Sequence, residues 1–514
     1  MSQPLSKEFG TLRSFLWPVY RQECRKIIPM IIMCFLICFN YSILRNLKDA
    51  VVVTASGAAV IPFIKVWVLL PMAILLTFVF TKLSNRYSQE KVIYLMISGF
   101  LIFFALFGFV LYPMHHILHP LEFGKSLQET LPEGFYGLIA MFSHWTFTGF
   151  YVMAELWSSI VYSILFYGFA NEITKVHEAR RFYAVLSVAS NFAAIFAGQA
   201  ANYFSYGSPI KFPFGETDWE QTMSALLLIV ISSGIIVMFT FWWMNRNVLN
   251  GPDFEDLHKR KREIRLKKHL SIRESIQYLA NSKYLLWIAV IVVGYNLVIN
   301  LVEVIWKDQL VELYSDPRDI NHYLNNLTSL VGIISAVISF FMASILTRMG
   351  WTFTALITPM ILLITGTGFF TFLIFQEHFS WSMLAYFGAT PLALVVFFGA
   401  AQNCLSKAAK YSVFDTTKEM AFIPLDHELK LKGKAAIDGV GSRLGKSGGS
   451  LIHQGLIMCF GSLSFSAPYV AVILLVAIFF WIAATRLLGR EFNKLTAEEE
   501  SSTAPTKEPL LVRS

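Results

Sequence analysis

The run HKRKREIRLKKH, residues 258–269, is the densest cluster of basic side chains in the chain, and long apolar segments flank it on both sides. Around it, Arg246, Lys259, Arg260, Lys261, Arg262, Arg265, Lys267, Lys268 and Arg273 fill the interval 246–283. Six apolar runs precede this interval, near 27–47, 60–82, 92–113, 135–168, 183–205 and 222–244. Six more follow, near 284–306, 324–346, 352–375, 381–405, 435–460 and 466–488. About 20 apolar residues suffice to cross a bilayer as helix. A basic linker with six spans on either side is the layout of a two-half transporter. The expected segments are a cytoplasmic amphipathic stretch over 1–26, a six-helix half over 27–245, the linker 246–283, a second half over 284–490 and a disordered tail over 491–514.

Composition agrees with a membrane protein. Of 514 residues 55% are hydrophobic and only 15% charged, where a soluble chain carries about 25%; mean hydropathy is +0.55. The net charge of +8 does not point to nucleic acid, because Lys and Arg concentrate in alternate loops. Arg13, Arg21, Arg25, Lys26, Lys82, Arg86, Lys91, Lys175, Arg180 and Arg181 fall on one side with the linker; the intervening loops hold Lys125, Lys211 and Arg318. The positive-inside rule then puts both termini in the cytoplasm. Cys24, Cys34, Cys38, Cys404 and Cys459 lack metal-ligand spacing and read as small apolar packers. No metal site or cofactor motif is expected. The start of the chain has no cleavable signal pattern, and residues 5–20 suit an interfacial helix with Leu12, Phe15, Leu16 and Val19 on one side.

Laying residue n on residue n+252 places Ala189, Ala193 and Ala197 on Gly441, Gly445 and Gly449. Both are small-xxx-small stripes, which let helices approach closely within a membrane. Lys48-Asp49 ends the first span as Lys307-Asp308 ends the seventh, seven residues off that register. The expected fold is therefore an all-α polytopic membrane protein with about twelve transmembrane helices in two six-helix halves, of the major-facilitator type.

Ionisable groups at membrane depth carry the functional signal, since each costs about 2.5–3.5 kcal/mol at a span centre and so faces a partner or water. Arg45, Lys48 and Asp49 lie three and four residues apart, on one helix face. Glu303 and Lys307 are an i, i+4 pair, while Glu155 is a lone carboxylate in the fourth span that needs a cation or a proton. The segment AIDGVGSRLGKSGGS, residues 436–450, superficially resembles a phosphate-cradling loop. Its spacing fails, because Gly441 is one residue too near Gly445 and Gly439 one too far. No strand precedes it, and it opens a span, so a nucleotide-hydrolysing fold is rejected. Arg443 and Lys446 remain, three apart on one face.

Arg45, Lys48, Lys307, Arg443 and Lys446 focused on one chamber suit a multiply charged anion, and the Arg fork suits phosphate oxygens. The n+252 register sets Arg443 on Asn191 and Lys446 on Ala194, so the second half is cationic where the first bears an amide. Phosphates are expected against the seventh and eleventh spans, with the base read by Asn191.

Four stretches resemble the nucleotide transporters (ATP/ADP translocases) of obligate intracellular bacteria and plastids: NYSILRNLKD at 40–49, VVTA at 52–55 with IPFIK at 61–65, FDTTKEMAFIPLD at 414–426, and the 436–450 segment. The resemblance covers roughly residues 25–490. It implies exchange of ATP for ADP, with phosphate moving alongside ADP, and carries the family's important charged positions onto Lys48, Glu155, Glu303 and Lys446. The short amino terminus departs from plastid members, so the implied setting is a bacterial inner membrane, crossed by a multi-pass monomer importing host ATP. Proton-coupled importers of several nucleotides and NAD/ADP exchangers share the pattern and are the alternatives. Lys48 and Lys446 are then the expected phosphate anchors, Arg45, Lys307 and Arg443 auxiliary cations, and Glu155 and Glu303 bridge or gate carboxylates. A membrane enzyme would need a catalytic constellation that the sequence does not offer, and a receptor would bind without transport.

Overall fold

The computed structural model describes residues 17, 19–174, 176–207, 217–249, 282–378, 388–425, 433–434, 437 and 441–503, and every regular element among them is helical. The first half contains α1 (Cys24–Ser56), α2 (Val60–Arg86), α3 (Gln89–Leu111), α4 (Trp145–Ile173), α5 (Val176–Asn202) and α6 (Asp218–Asn247). The second contains α7 (Lys283–Leu313), α8 (Pro317–Met342), α9 (Arg348–Ile374), α10 (Pro391–Ala421), α11 (Ser442–Phe460) and α12 (Leu463–Thr503). Eleven of these are long and apolar enough to cross a membrane; α11 is not, because Arg443, Lys446, His453 and Gln454 interrupt its apolar residues. The rod that carries α8 and α9 turns at Gly350, whose φ of 75° suits a residue without a Cβ.

Three sequence boundaries shift. Helix α1 runs to Ser56, nine residues past the expected end, so Lys48 and Asp49 stand inside it. Helix α10 starts at Pro391 and continues to Ala421, which brings Lys407 and Lys410 within the span. In both cases an inward-facing charge lowers the local hydropathy without ending the helix. The tail expected to be disordered is instead helical as far as Thr503. Ala497 and Glu498 to Glu500 are strong helix formers that extend an existing helix and need no new nucleus. Most of the amphipathic segment 5–20, the linker from 250 to 281 and residues 504–514 lie outside the described residues.

The two small-residue stripes mark equivalent packing surfaces. Helix α5 lies on α1, where the Cys34 thiol donates to the Leu186 carbonyl at 3.6 Å, and Ala193 and Ala197 are buried. Helix α11 lies on α7 in the corresponding way. A Cβ on Gly445 would stand 2.7 Å from the Val293 carbonyl, and one on Gly449 would stand 2.8 Å from Asn300 Nδ2. Only glycine permits that approach.

The seam between the halves follows the same repeat, pairing α5 with α8 and α2 with α11. Gln199 Nε2 donates to Ser329 Oγ at 3.0 Å and Asn202 Nδ2 to Asn326 Oδ1 at 2.5 Å. Gln454 Nε2 donates to the Pro62 carbonyl at 2.8 Å. Arg318 reaches Asp218 at 2.8 Å. These crossings sit away from the side of the molecule on which α1 begins.

Candidate functional site

Helices α1 and α7 meet at a chain of alternating charges. Asp49 accepts from Lys48 at 2.9 Å through one oxygen and from Lys307 at 2.8 Å through the other. Lys48 also lies 3.3 Å from Glu155 on α4, and its ammonium sits 3.8 Å from the centre of the Tyr151 ring. Lys307 lies 3.4 Å from Glu303 one turn earlier, and Glu303 takes Lys407 of α10 at 3.1 Å. The middle of this chain is nearly dry, with the side chains of Lys48, Asp49 and Lys307 at 3%, 5% and 4% exposure; Glu155, Glu303 and Lys407 keep about a fifth of theirs at 22%, 19% and 17%. Replacing a buried ion pair by apolar residues is often neutral or stabilising. Such a network at membrane depth is therefore weak evidence for a packing role and good evidence for a functional one.

A second layer surrounds it. Arg45 Nη2 donates to Thr328 Oγ1 of α8 at 3.1 Å, and its guanidinium lies 5.7 Å from the centre of the Tyr41 ring. Asn46 Nδ2 donates to Asn325 Oδ1 at 2.8 Å and to Thr328 Oγ1 at 3.0 Å. On the other flank Lys65 of α2 donates to Asn300 Oδ1 of α7 at 2.6 Å. The Asn300 amide nitrogen donates in turn to the Lys446 carbonyl at 2.9 Å and to Ser450 Oγ at 3.0 Å. Lys446 itself is exposed and lies within electrostatic reach of Glu155.

Wide-turn π-helical stretches adjoin this cluster on three helices. Ile64–Leu69 contains Lys65, Trp157–Phe166 begins two residues after Glu155, and Lys410–Phe414 begins three after Lys407. Such bulges re-aim side chains and recur at functional sites.

The structure thus brings together Arg45, Lys48, Lys307, Glu155, Glu303 and Lys446. Arg443 is exposed and joins none of these pairs among the described residues. Asn191 is half-buried on the α5 face that meets α8, where its carbonyl would stand 3.0 Å from a Cβ on Gly332. Sequence reasoning gave no role to Asp49, Lys65, Lys407 or Asn300. Asp49 was visible beside Lys48, and Lys65 within a quoted motif, but their partners lie on α7, far along the chain. Lys407 was hidden by an apolar run that stops at 405.

Residues 2–492 match the family model described as TLC ATP/ADP transporter. The chain belongs to that family. ADP,ATP carrier protein 1 of Chlamydia pneumoniae is 44% identical over 512 residues, 98% of each chain. The chloroplastic ADP,ATP carrier protein 2 of Arabidopsis thaliana is 43% identical over 478 residues, 93% of this chain and 76% of the relative. Among solved structures, that of a D-xylose-proton symporter aligns with a TM-score of 0.52 at 11% identity, covering 89% of this chain and 97% of the other. The inward open xylose transporter XylE from E. coli gives 0.51 at 12% identity, covering 88% and 95%. Identities this low speak for the fold alone, and that fold is the two-half, major-facilitator-like one.

Proposed function

We propose that the protein exchanges ATP for ADP, with phosphate accompanying ADP, as a monomer in a bacterial inner membrane with both termini in the cytoplasm. One observation carries this reading. In the cluster between the halves, the cations Arg45, Lys48, Lys65, Lys307, Lys407 and Lys446 outnumber the carboxylates Asp49, Glu155 and Glu303 by three. A positive surplus of that size at membrane depth has to be balanced, and a polyphosphate balances it. The printed names of the relatives, ADP,ATP carriers, favour the adenine nucleotides.

The geometry suggests the cycle. In the structure Asp49 occupies Lys48 and Lys307 together and holds α1 to α7. An incoming polyphosphate binds the accessible cations, Lys446 and Arg45, and competes with Asp49, Glu155 and Glu303 for the rest. Once it takes that place, the α1–α7 tie is free to open and the halves rock. A carrier emptied of substrate falls back on its own carboxylates and stays locked, which makes turnover depend on a counter-substrate. Glu155 and Glu303 act here as gate partners, and Asn191 at the seam reads the base. ATP carries one more negative charge than ADP, so each exchange uncompensated by phosphate moves charge worth about 2.3 kcal/mol per 100 mV.

The test is uptake of labelled ATP into proteoliposomes loaded with ADP, with ADP plus phosphate, or with neither. Exchange requires uptake that depends on internal ADP. Uptake indifferent to internal nucleotide and abolished by an uncoupler would replace the exchanger with a proton-coupled importer.

A further inference from the structure

The six cations of the site fall into two sets. Lys48, Lys307 and Lys407 each touch a carboxylate. Arg45, Lys65 and Lys446 touch none among the described residues, and all three keep access to solvent, Lys446 most of all. Arg45 is held by a hydroxyl and an aromatic ring. Lys65 is held by the neutral oxygen of Asn300. Lys446 is held through its backbone carbonyl, which leaves its ammonium uncommitted among the described residues.

The carboxylates cancel the first set, so the surplus charge resides on the second. A lysine with only a packing role at this depth would be expected to carry an acidic partner, as Lys48 and Lys307 do. Lys65 is instead oriented by a group that cannot neutralise it. Its ammonium also lies within electrostatic reach of Glu303, Lys307, Glu155 and Lys48, so it stands amid the network rather than at the rim. Asn300 aligns it with α11, because the same amide grips Lys65 through Oδ1 and the Lys446 carbonyl and Ser450 through Nδ2.

We infer that Lys65, with Lys446 and Arg45, forms the receptor for the substrate's phosphate chain, and that Lys65 sets the requirement for more than one phosphate. The site then prefers nucleoside di- and triphosphates to monophosphates because the outer phosphates alone reach the α2 lysine. This assignment rests on the exchange reading above.

Graded competitors test it. Adenosine, AMP, ADP and ATP are titrated against labelled ATP uptake into ADP-loaded proteoliposomes, for the native chain, Lys65→Met, Lys65→Arg and Asn300→Asp. A lost charged hydrogen bond corresponds to roughly tenfold or more. Lys65→Met is expected to weaken ADP and ATP by about that factor while leaving AMP and adenosine nearly unchanged, and Lys65→Arg to restore the gradient. Asn300→Asp keeps the lysine but sets a carboxylate against it, giving up the Nδ2 bonds to the Lys446 carbonyl and Ser450, and is expected to flatten the gradient in the same way. If Lys65→Met does not fold, Lys65→Gln takes its place with the same expected gradient. Equal weakening of all four competitors, or an unchanged ATP-to-AMP ratio, overturns the assignment. A native protein without ADP-dependent uptake would instead overturn the exchange reading itself.

Discussion

Lys307 on α7 donates to Asp49 on α1 at 2.8 Å, an ion pair that crosses between the two halves at membrane depth. Asp49 has its other oxygen on Lys48 at 2.9 Å, so one carboxylate is shared by a cation from each half. The Lys48-Asp49 and Lys307-Asp308 pairs that echo one another in sequence therefore converge, but asymmetrically: only the Asp49 carboxylate is used to join both lysines.

Removing that carboxylate should be costly. Asp49→Asn leaves two nearly buried lysines without their shared anion, and breaking a buried pair from one side costs about 3–5 kcal/mol. A clearly lower melting temperature is expected in purified protein, with recovery when the charges are exchanged as Asp49→Lys with Lys307→Asp. Melting indistinguishable from the native chain would show that Asp49 bears no such load.

Helix α11 should tolerate no bulk on its α7 side. Gly445→Val places a side chain where a Cβ alone would stand 2.7 Å from the Val293 carbonyl and from Asn296 Cβ. Overpacking of this kind costs about 1–3 kcal/mol, and it would also shift the Lys446 carbonyl away from Asn300. Exchange should be lost even in detergent-stable protein. Gly448→Ala, where nothing lies within 4 Å of the added Cβ, is the control expected to retain activity.

Asn191 should control base preference. It sits at the α5–α8 seam, away from the charged pairs, so Asn191→Ala should alter the ratio of ATP to GTP or CTP as competitors more than it alters the dependence on phosphate number. Weakening that is uniform across bases would remove it from base reading.

The loop between α3 and α4 gives a pH dependence. Burial, with help from His144, His115 and His116, pushes the His119 imidazole down to about 4, and burial also lowers His115 and His144. His119 instead meets Thr146 Oγ1 at 2.6 Å in its neutral form. In the unfolded chain a histidine takes up its proton near pH 6.5. The unfolded state therefore binds more protons as pH falls below about 6.5, and stability drops until the folded imidazole also titrates near 4. Melting temperature measured from pH 7.5 to 5 should fall, and less steeply in His119→Gln. Parallel slopes for the two proteins would contradict this.

Much of the architecture was legible because hydropathy reports helices that face lipid directly. The all-helical, two-half layout and the small-residue stripes at 189–197 and 441–449 correspond to features of the described helices, whereas the basic run at 258–269 lies outside the described residues. The ion pairs were only half legible. Glu303 with Lys307 is local and follows from helical spacing, whereas Asp49 with Lys307 joins residues 258 apart, and no local pattern encodes it. Hydropathy also misplaced the ends of α1 and α10 for the reason that makes them informative: their charges point inward. Arg443 was grouped with Lys446 by spacing alone; both side chains are exposed, and of the two only Lys446 lies within electrostatic reach of Glu155.

The most direct measurement is a density map of the protein with ADP bound. The expected result is phosphate density between the halves in hydrogen-bond contact with at least two of Arg45, Lys65 and Lys446, drawn from different helices. Nucleotide density that touches none of these three cations, or that lies outside the seam between the halves, would contradict a cation surplus as the basis of substrate binding.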